Sequence, residues 1–115
     1  MKRGEVYWGV LSPRSGSEQQ GRLPVIIVSH DAFNEAPSWR SVIVVPITTS
    51  LAQARRGPTA VALPEGSGGL SRESIALCHQ VTTLDRSKLN ERIGELEDSL
   101  LAEVNDGLNA AQALD

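Results

Sequence analysis

The sequence predicts a small, twisted, mainly antiparallel β-barrel closed by a C-terminal helix. Three observations lead there. Short β-branched and apolar runs, bounded by Gly, Pro, Ser and Asp, recur between residues 5 and 81. From Leu96 onward the apolar period changes to three and four residues. At 115 residues, 40% of them hydrophobic and 22% charged, the chain is the size of one domain and hides roughly two-thirds of the surface its unfolded form exposes.

The elements follow in order. Residues 5–11 (EVYWGVL) mix aromatic, β-branched and apolar side chains and read as a first strand. Residues 12–22 (SPRSGSEQQGR) hold only turn formers and polar groups, a long exposed loop of the kind that carries function. Pro24 opens the second strand, PVIIVS, where a missing N–H is tolerated. Residues 31–34 read as a short turn or a single helical turn, opened by His30. Residues 41–48 (SVIVVPIT) are a continuous apolar run, hence a strand buried on both faces, with Pro46 marking a bulge or an edge near its end. Residues 57–63 (GPTAVAL) give a fourth strand, 65–69 (EGSGG) a turn, and 74–81 a fifth strand. Asp85 caps a short helix over 85–90. Residues 97–114 form the terminal helix, with Leu96, Leu100, Val104, Leu108, Ala111 and Leu114 as its apolar stripe, Leu101 widening it, and Glu97 and Asp98 in the first turn where negative charge suits the helix dipole.

Composition excludes several classes. A single cysteine, Cys78, rules out a disulfide scaffold, and with only His30 and His79 beside it there are too few soft ligands for a structural zinc site. No metal or other cofactor is implied. The longest apolar runs, 25–28 and 42–45, fall far short of the roughly 18 residues a membrane span requires. Residues 1–8 carry Lys2, Arg3 and Glu5 and lack the apolar stretch of a secretion signal, so the cytoplasm is the expected location. The net charge of −3 argues against a nucleic-acid binder, but it is uneven. Residues 1–60 hold seven basic and four acidic side chains, a net of +3; residues 61–115 hold four basic and ten acidic, a net of −6. A polyanion would meet the first part; solubilisation of the terminal helix is the plainer account of the second.

Four places hold polar groups the fold does not need: Ser17, Glu18, Gln19, Gln20 and Arg22 in the long loop; Thr48, Thr49 and Ser50 after the third strand; His79 and Gln80 on the fifth; and Arg55 with Arg56. Each has a bland alternative. Loops are polar anyway, threonine at a strand end is ordinary turn chemistry, His79 reads as a satisfied, partly buried histidine, the two arginines as a solvated loop, and Cys78 as a small buried hydrophobe with nothing nearby to make its thiolate. The absence of GxSxG, P-loop and HExxH patterns removes serine hydrolase, nucleoside triphosphatase and zinc protease readings. Tyr7, Trp8, Phe33 and Trp39 are too few for a multi-base stacking sheet but leave room for a single stacked base.

The stretches RGEVYWGVLSP, GSEQQG, RLPVIIVSHDAFN, VIVVPITTS and HQVTTLDRSKLNERIGEL, in that order, resemble the MazF/PemK (Kid) toxins of toxin–antitoxin modules over almost the whole chain. GSEQ followed by a proline-led apolar strand, with PIT one strand later, is a specific combination. The resemblance implies one toxin domain over 1–115, mainly β with a C-terminal helix, an SH3-like barrel of the CcdB/Kid/MazF type, assembled as a homodimer. It further implies a sequence-specific, metal-independent endoribonuclease that cleaves single-stranded mRNA. Attack of a ribose 2′-hydroxyl on the adjacent phosphate would leave a 2′,3′-cyclic phosphate and a 5′-hydroxyl.

In the family the catalytic pair is an arginine directly before the strand's proline and a threonine in the PIT segment. The threonine matches Thr48. Before Pro24, however, stands Leu23, and the nearest arginine is Arg22, so the resemblance leaves Arg22 with Thr48 as the expected pair. Neighbouring side chains of an extended chain face opposite ways, so that one-place offset is not conservative. Two positions after Gln80, where the family often carries arginine, stands Thr82. Ser17, Glu18, Gln19, Thr49, Ser50 and Gln80 are the implied RNA contacts. The implied partners are single-stranded RNA and a cognate antitoxin whose acidic, disordered tail lies over the RNA groove. The alternative is a catalytically weakened or non-catalytic binding module on the same scaffold, such as a protein-targeting toxin of the CcdB type.

Overall fold

The computed structural model describes residues 1–11 and 21–114. Seven strands and two helices follow in the order β1 (Glu5–Leu11), β2 (Gly21–Ile27), α1 (Asp31–Asn34), β3 (Ser41–Thr48), β4 (Ala60–Leu63), β5 (Ser74–Leu77), β6 (Thr82–Asp85), β7 (Leu89–Glu95) and α2 (Asp98–Gln112). Every strand pairing is antiparallel, and the sheet runs β4-β5-β3-β2-β1-β7 with β6 alongside β3. The mainly antiparallel sheet with a C-terminal helix is the predicted class. The expected barrel, however, is open. Among the described residues β4 and β7 are edges, and β6 reaches β7 only through the short 3-10 turn Arg86–Lys88.

β3 organises the sheet. One edge pairs with β2 from Val44 to Pro46; the other pairs with β6 from Ser41 to Val44 and then with β5 at Ile47 and Thr48. Pro46 sits at this fork, where the second edge needs no N–H from it. Alternation sends successive β3 and β2 residues to opposite faces. Val25, Ile27, Val42 and Val44 meet Leu11, Leu23 and Leu84 on one side. Val6, Ile26, Val45 and Ile47 meet Leu96, Leu100, Val104 and Leu108 on the other. Burial on both faces is why these strands read as unbroken apolar runs, and each such side chain stabilises the fold by about 1.5–3 kcal/mol.

Several boundaries differ from expectation. β2 begins at Gly21, so Arg22 belongs to a strand and Pro24 lies inside it, just beyond the last β2–β3 pair. The strand expected over 57–63 keeps only Ala60–Leu63, because Gly57 has φ 78 and Pro58 belongs to the 3-10 segment Leu51–Thr59. The fifth strand stops at Leu77; His79 and Gln80 lie on the 3-10 turn Cys78–Gln80. Asp85 does cap, accepting the Ser87 N–H at 2.8 Å, but it opens a single turn rather than a helix, and residues 89–95 are strand. α2 begins one residue after Glu97 and ends at Gln112, leaving Leu114 exposed. Of the two forms expected over 31–34, the helical turn α1 is the one present, and His30 at its start adds a cap, its Nδ1 accepting the Ala32 N–H at 2.9 Å. Among the described residues no helix is long and apolar enough to cross a membrane.

Candidate nucleic-acid interface

Thr48 ends β3 and is half-buried. Its hydroxyl oxygen accepts the Ser50 N–H at 3.1 Å, the local turn chemistry that a threonine at a strand end favours. Accepting that bond leaves the hydroxyl proton available to donate. On one edge Thr48 is paired with Ile75. On the other, the β2–β3 register carried two residues past Val25 and Pro46 brings Leu23 opposite it and Arg22 opposite Thr49. Thr49 and Ser50 are exposed.

The structure does not put Arg22 on the face of Thr48. Thr48 alternates with Val42 and Val44, the side on which Leu23 is buried beside Leu11 and Val25. Arg22 alternates with Pro24 and Ile26, is exposed, and holds its guanidinium carbon 4.2 Å from the centre of the Trp8 ring. That separation is a cation–π contact. It was not foreseen from sequence, although Trp8 stands opposite Pro24 and is therefore a diagonal neighbour of Arg22 on one sheet face. Ser17, Glu18 and Gln19 lie outside the described residues.

Gln80 closes the turn that carries the chain from β5 to β6, beside the part of β3 between its two ladders. Its amide nitrogen is 3.3 Å from His79 Nε2. His79 departs from the expected satisfied histidine, since its Nδ1 is buried without a hydrogen-bond partner. Burial, aided by the charge of Arg56, holds its pKa below the ordinary imidazole value, so the ring is neutral near pH 7. Arg56 itself donates to Gln53 Oε1 at 2.8 Å. Cys78 is fully buried, and burial alone pushes its thiol up to about 11, which suits a small hydrophobe and not a nucleophile. Thr82 starts β6 opposite Val44 and lines an open groove of about 330 Å³ with Val28, Ile43, Val81, Thr83 and Leu108.

The family model for PemK-like, MazF-like toxins of type II toxin–antitoxin systems matches residues 2–111. The chain is similar to the endoribonuclease MazF of Staphylococcus saprophyticus, with 37% identity over 114 residues that cover 99% of this chain and 92% of that protein. It is also similar to the endoribonuclease EndoA of Bacillus subtilis, at 35% over 114 residues, covering 99% and 96%. Among solved structures, an endoribonuclease in complex with its cognate antitoxin from a mycobacterial species superposes with a TM-score of 0.81 at 27% identity, covering 100% of this chain and 97% of that one. MazF from Deinococcus radiodurans superposes with a TM-score of 0.80 at 28% identity, covering 99% and 97%.

Proposed function

The chain belongs to the PemK-like, MazF-like toxins of type II toxin–antitoxin systems, and on that premise we propose that it is an endoribonuclease toxin held in check by a cognate antitoxin. The substrate is single-stranded RNA in the cytoplasm, residues 1–115 act as one unit, and two copies assemble into the working toxin. The observation that carries the site is Thr48, whose hydroxyl oxygen accepts the Ser50 N–H at the end of β3. An O–H donor at this position stabilises the charge that develops on phosphate oxygens as the 2′-hydroxyl attacks. Thr49, Ser50 and Gln80, together with Ser17, Glu18 and Gln19, contact the RNA backbone and base edges around it.

A second reading, a weakened or purely binding relative, is favoured by one observation. The β2–β3 register, extended past its last pair, would set the buried Leu23 beside Thr48, while Arg22 lies over Trp8 on the opposite face. Losing a donor at such a site typically lowers rate by about a hundredfold or more. Incubating a long single-stranded transcript with the protein in EDTA separates the two readings. The expected result is cleavage to 2′,3′-cyclic phosphate and 5′-hydroxyl ends, with Thr48→Ala about a hundredfold slower. An intact transcript that the wild-type protein nevertheless binds establishes the second reading.

A further inference from the structure

We infer that Arg22 and Trp8 form an RNA-binding platform outside the cleavage centre, where a base stacks on the guanidinium and a neighbouring phosphate takes its outward N–H groups. The proposal rests on RNA being the substrate. It starts from the geometry of the pair. The half-buried indole is carried by β1 between its two neighbouring strands, and the guanidinium carbon of the exposed Arg22 lies 4.2 Å from its centre. Arg22 makes no ion pair with any described carboxylate. Arginine planes and aromatic rings both stack on nucleobases without regard to sequence, and the in-plane N–H groups remain available for phosphate oxygens.

The register supplies a second, independent observation. Gly9 pairs with Leu89, which brings the exposed Lys88 to the end of β1, and Val10 of the same strand pairs with Arg22. The register thus sets two exposed cations, Arg22 and Lys88, on either side of the end of β1, the strand that carries Trp8. In a chain of net charge −3, the phosphate-neutralising part of RNA binding has to come from such local groups. Arg22 and Trp8 belong to the face opposite Thr48, so they hold nucleotides flanking the scissile one. An acidic peptide would use the charge but leave the stacking surface idle, which is why RNA is the better occupant.

The test uses the full chain and a mixed-sequence, single-stranded 2′-O-methyl RNA 20-mer, which cannot be cut, with binding followed by fluorescence anisotropy over a salt series. Arg22 is exposed, so Arg22→Ala should fold like the wild type. It is expected to weaken binding about tenfold and to lower the slope of log affinity against log salt by about 0.7. Arg22→Lys should keep the salt slope and lose most of the affinity. On a cleavable transcript the loss should fall on KM far more than on kcat. Unchanged affinity of Arg22→Ala for the 20-mer overturns the proposal, whether the pair then proves structural or Arg22→Ala weakens only antitoxin binding. A hundredfold fall in kcat at unchanged affinity overturns it as well and places Arg22 at the scissile phosphate. Because the probe is uncleavable, failure of the nuclease reading leaves these outcomes readable.

Discussion

Glu5 sits 8% exposed where β1 meets β7 and accepts hydrogen bonds from the Lys2 N–H at 2.6 Å, Arg92 Nε at 2.7 Å and the Tyr7 hydroxyl at 3.3 Å. Burial pushes its pKa up, but Arg92 and the Lys2 amide outweigh that and hold it below the ordinary value of 4.5. A depressed carboxylate stabilises the fold above its unfolded pKa, and the contribution disappears as pH falls through the folded value. Glu5→Gln should therefore cost about 1–3 kcal/mol in urea unfolding at pH 7, with the gap to wild type closing as the pH is lowered below 4.5. A gap that is constant with pH would show that packing, and not charge, is what Glu5 provides. At this scale the site was only partly legible. Thr48 and Gln80 could be picked from their motifs, and alternation alone warned that Arg22 would turn away from Thr48. The Trp8 contact and the unsatisfied His79 nitrogen could not be read, because each depends on which strand residues become neighbours, and register is not written in any single segment.

Among the elements, α2 shows how packing overrides propensity. Gly107 lies inside the helix, where alanine would be favoured by about 1 kcal/mol. A Cβ there would stand 2.7 Å from Cys78 Sγ and 3.0 Å from Val61 Cγ2. Gly107→Ala is therefore expected to destabilise by about 1–2 kcal/mol, and in combination with Cys78→Ala to cost clearly less than the two changes summed. Strict additivity in denaturant melts would rule out the close approach as the cause. Gly69 and Gly94 are less forgiving, since their added Cβ atoms would strike the backbone of Ile93 and Gly68, which cannot yield as a thiol can. β1 and β3 are legible at their observed limits because each combines apolar burial with a sharp polar boundary. β6 and β7 are not legible for the converse reason. TTLD and LNERIGE are mostly half-buried or exposed, so no period of two marks them, and Asp85 signalled a cap without revealing how short the turn behind it is.

Taken whole, the molecule presents a basic first part and an acidic last part, and its proposed partner should exploit the former. A synthetic acidic peptide from a cognate antitoxin is expected to displace the 20-mer RNA competitively and to stop cleavage; non-competitive behaviour would place the antitoxin elsewhere. Sedimentation at micromolar concentration should give twice the 12.3 kDa of one chain, and a single-chain mass would argue against the two-copy toxin. The overall class could be read from sequence because the apolar period changes once, near Leu96, whereas the open sheet could not, because it depends on β3 dividing its second edge between β5 and β6. That division bears on how the protein comes apart. One strand borders three others and contributes to the packing on both faces, so no half of the chain can melt while the rest stays assembled. Amide exchange along residues 42–48 should therefore report global unfolding, with the slowest protons in the protein found there and not in the long terminal helix.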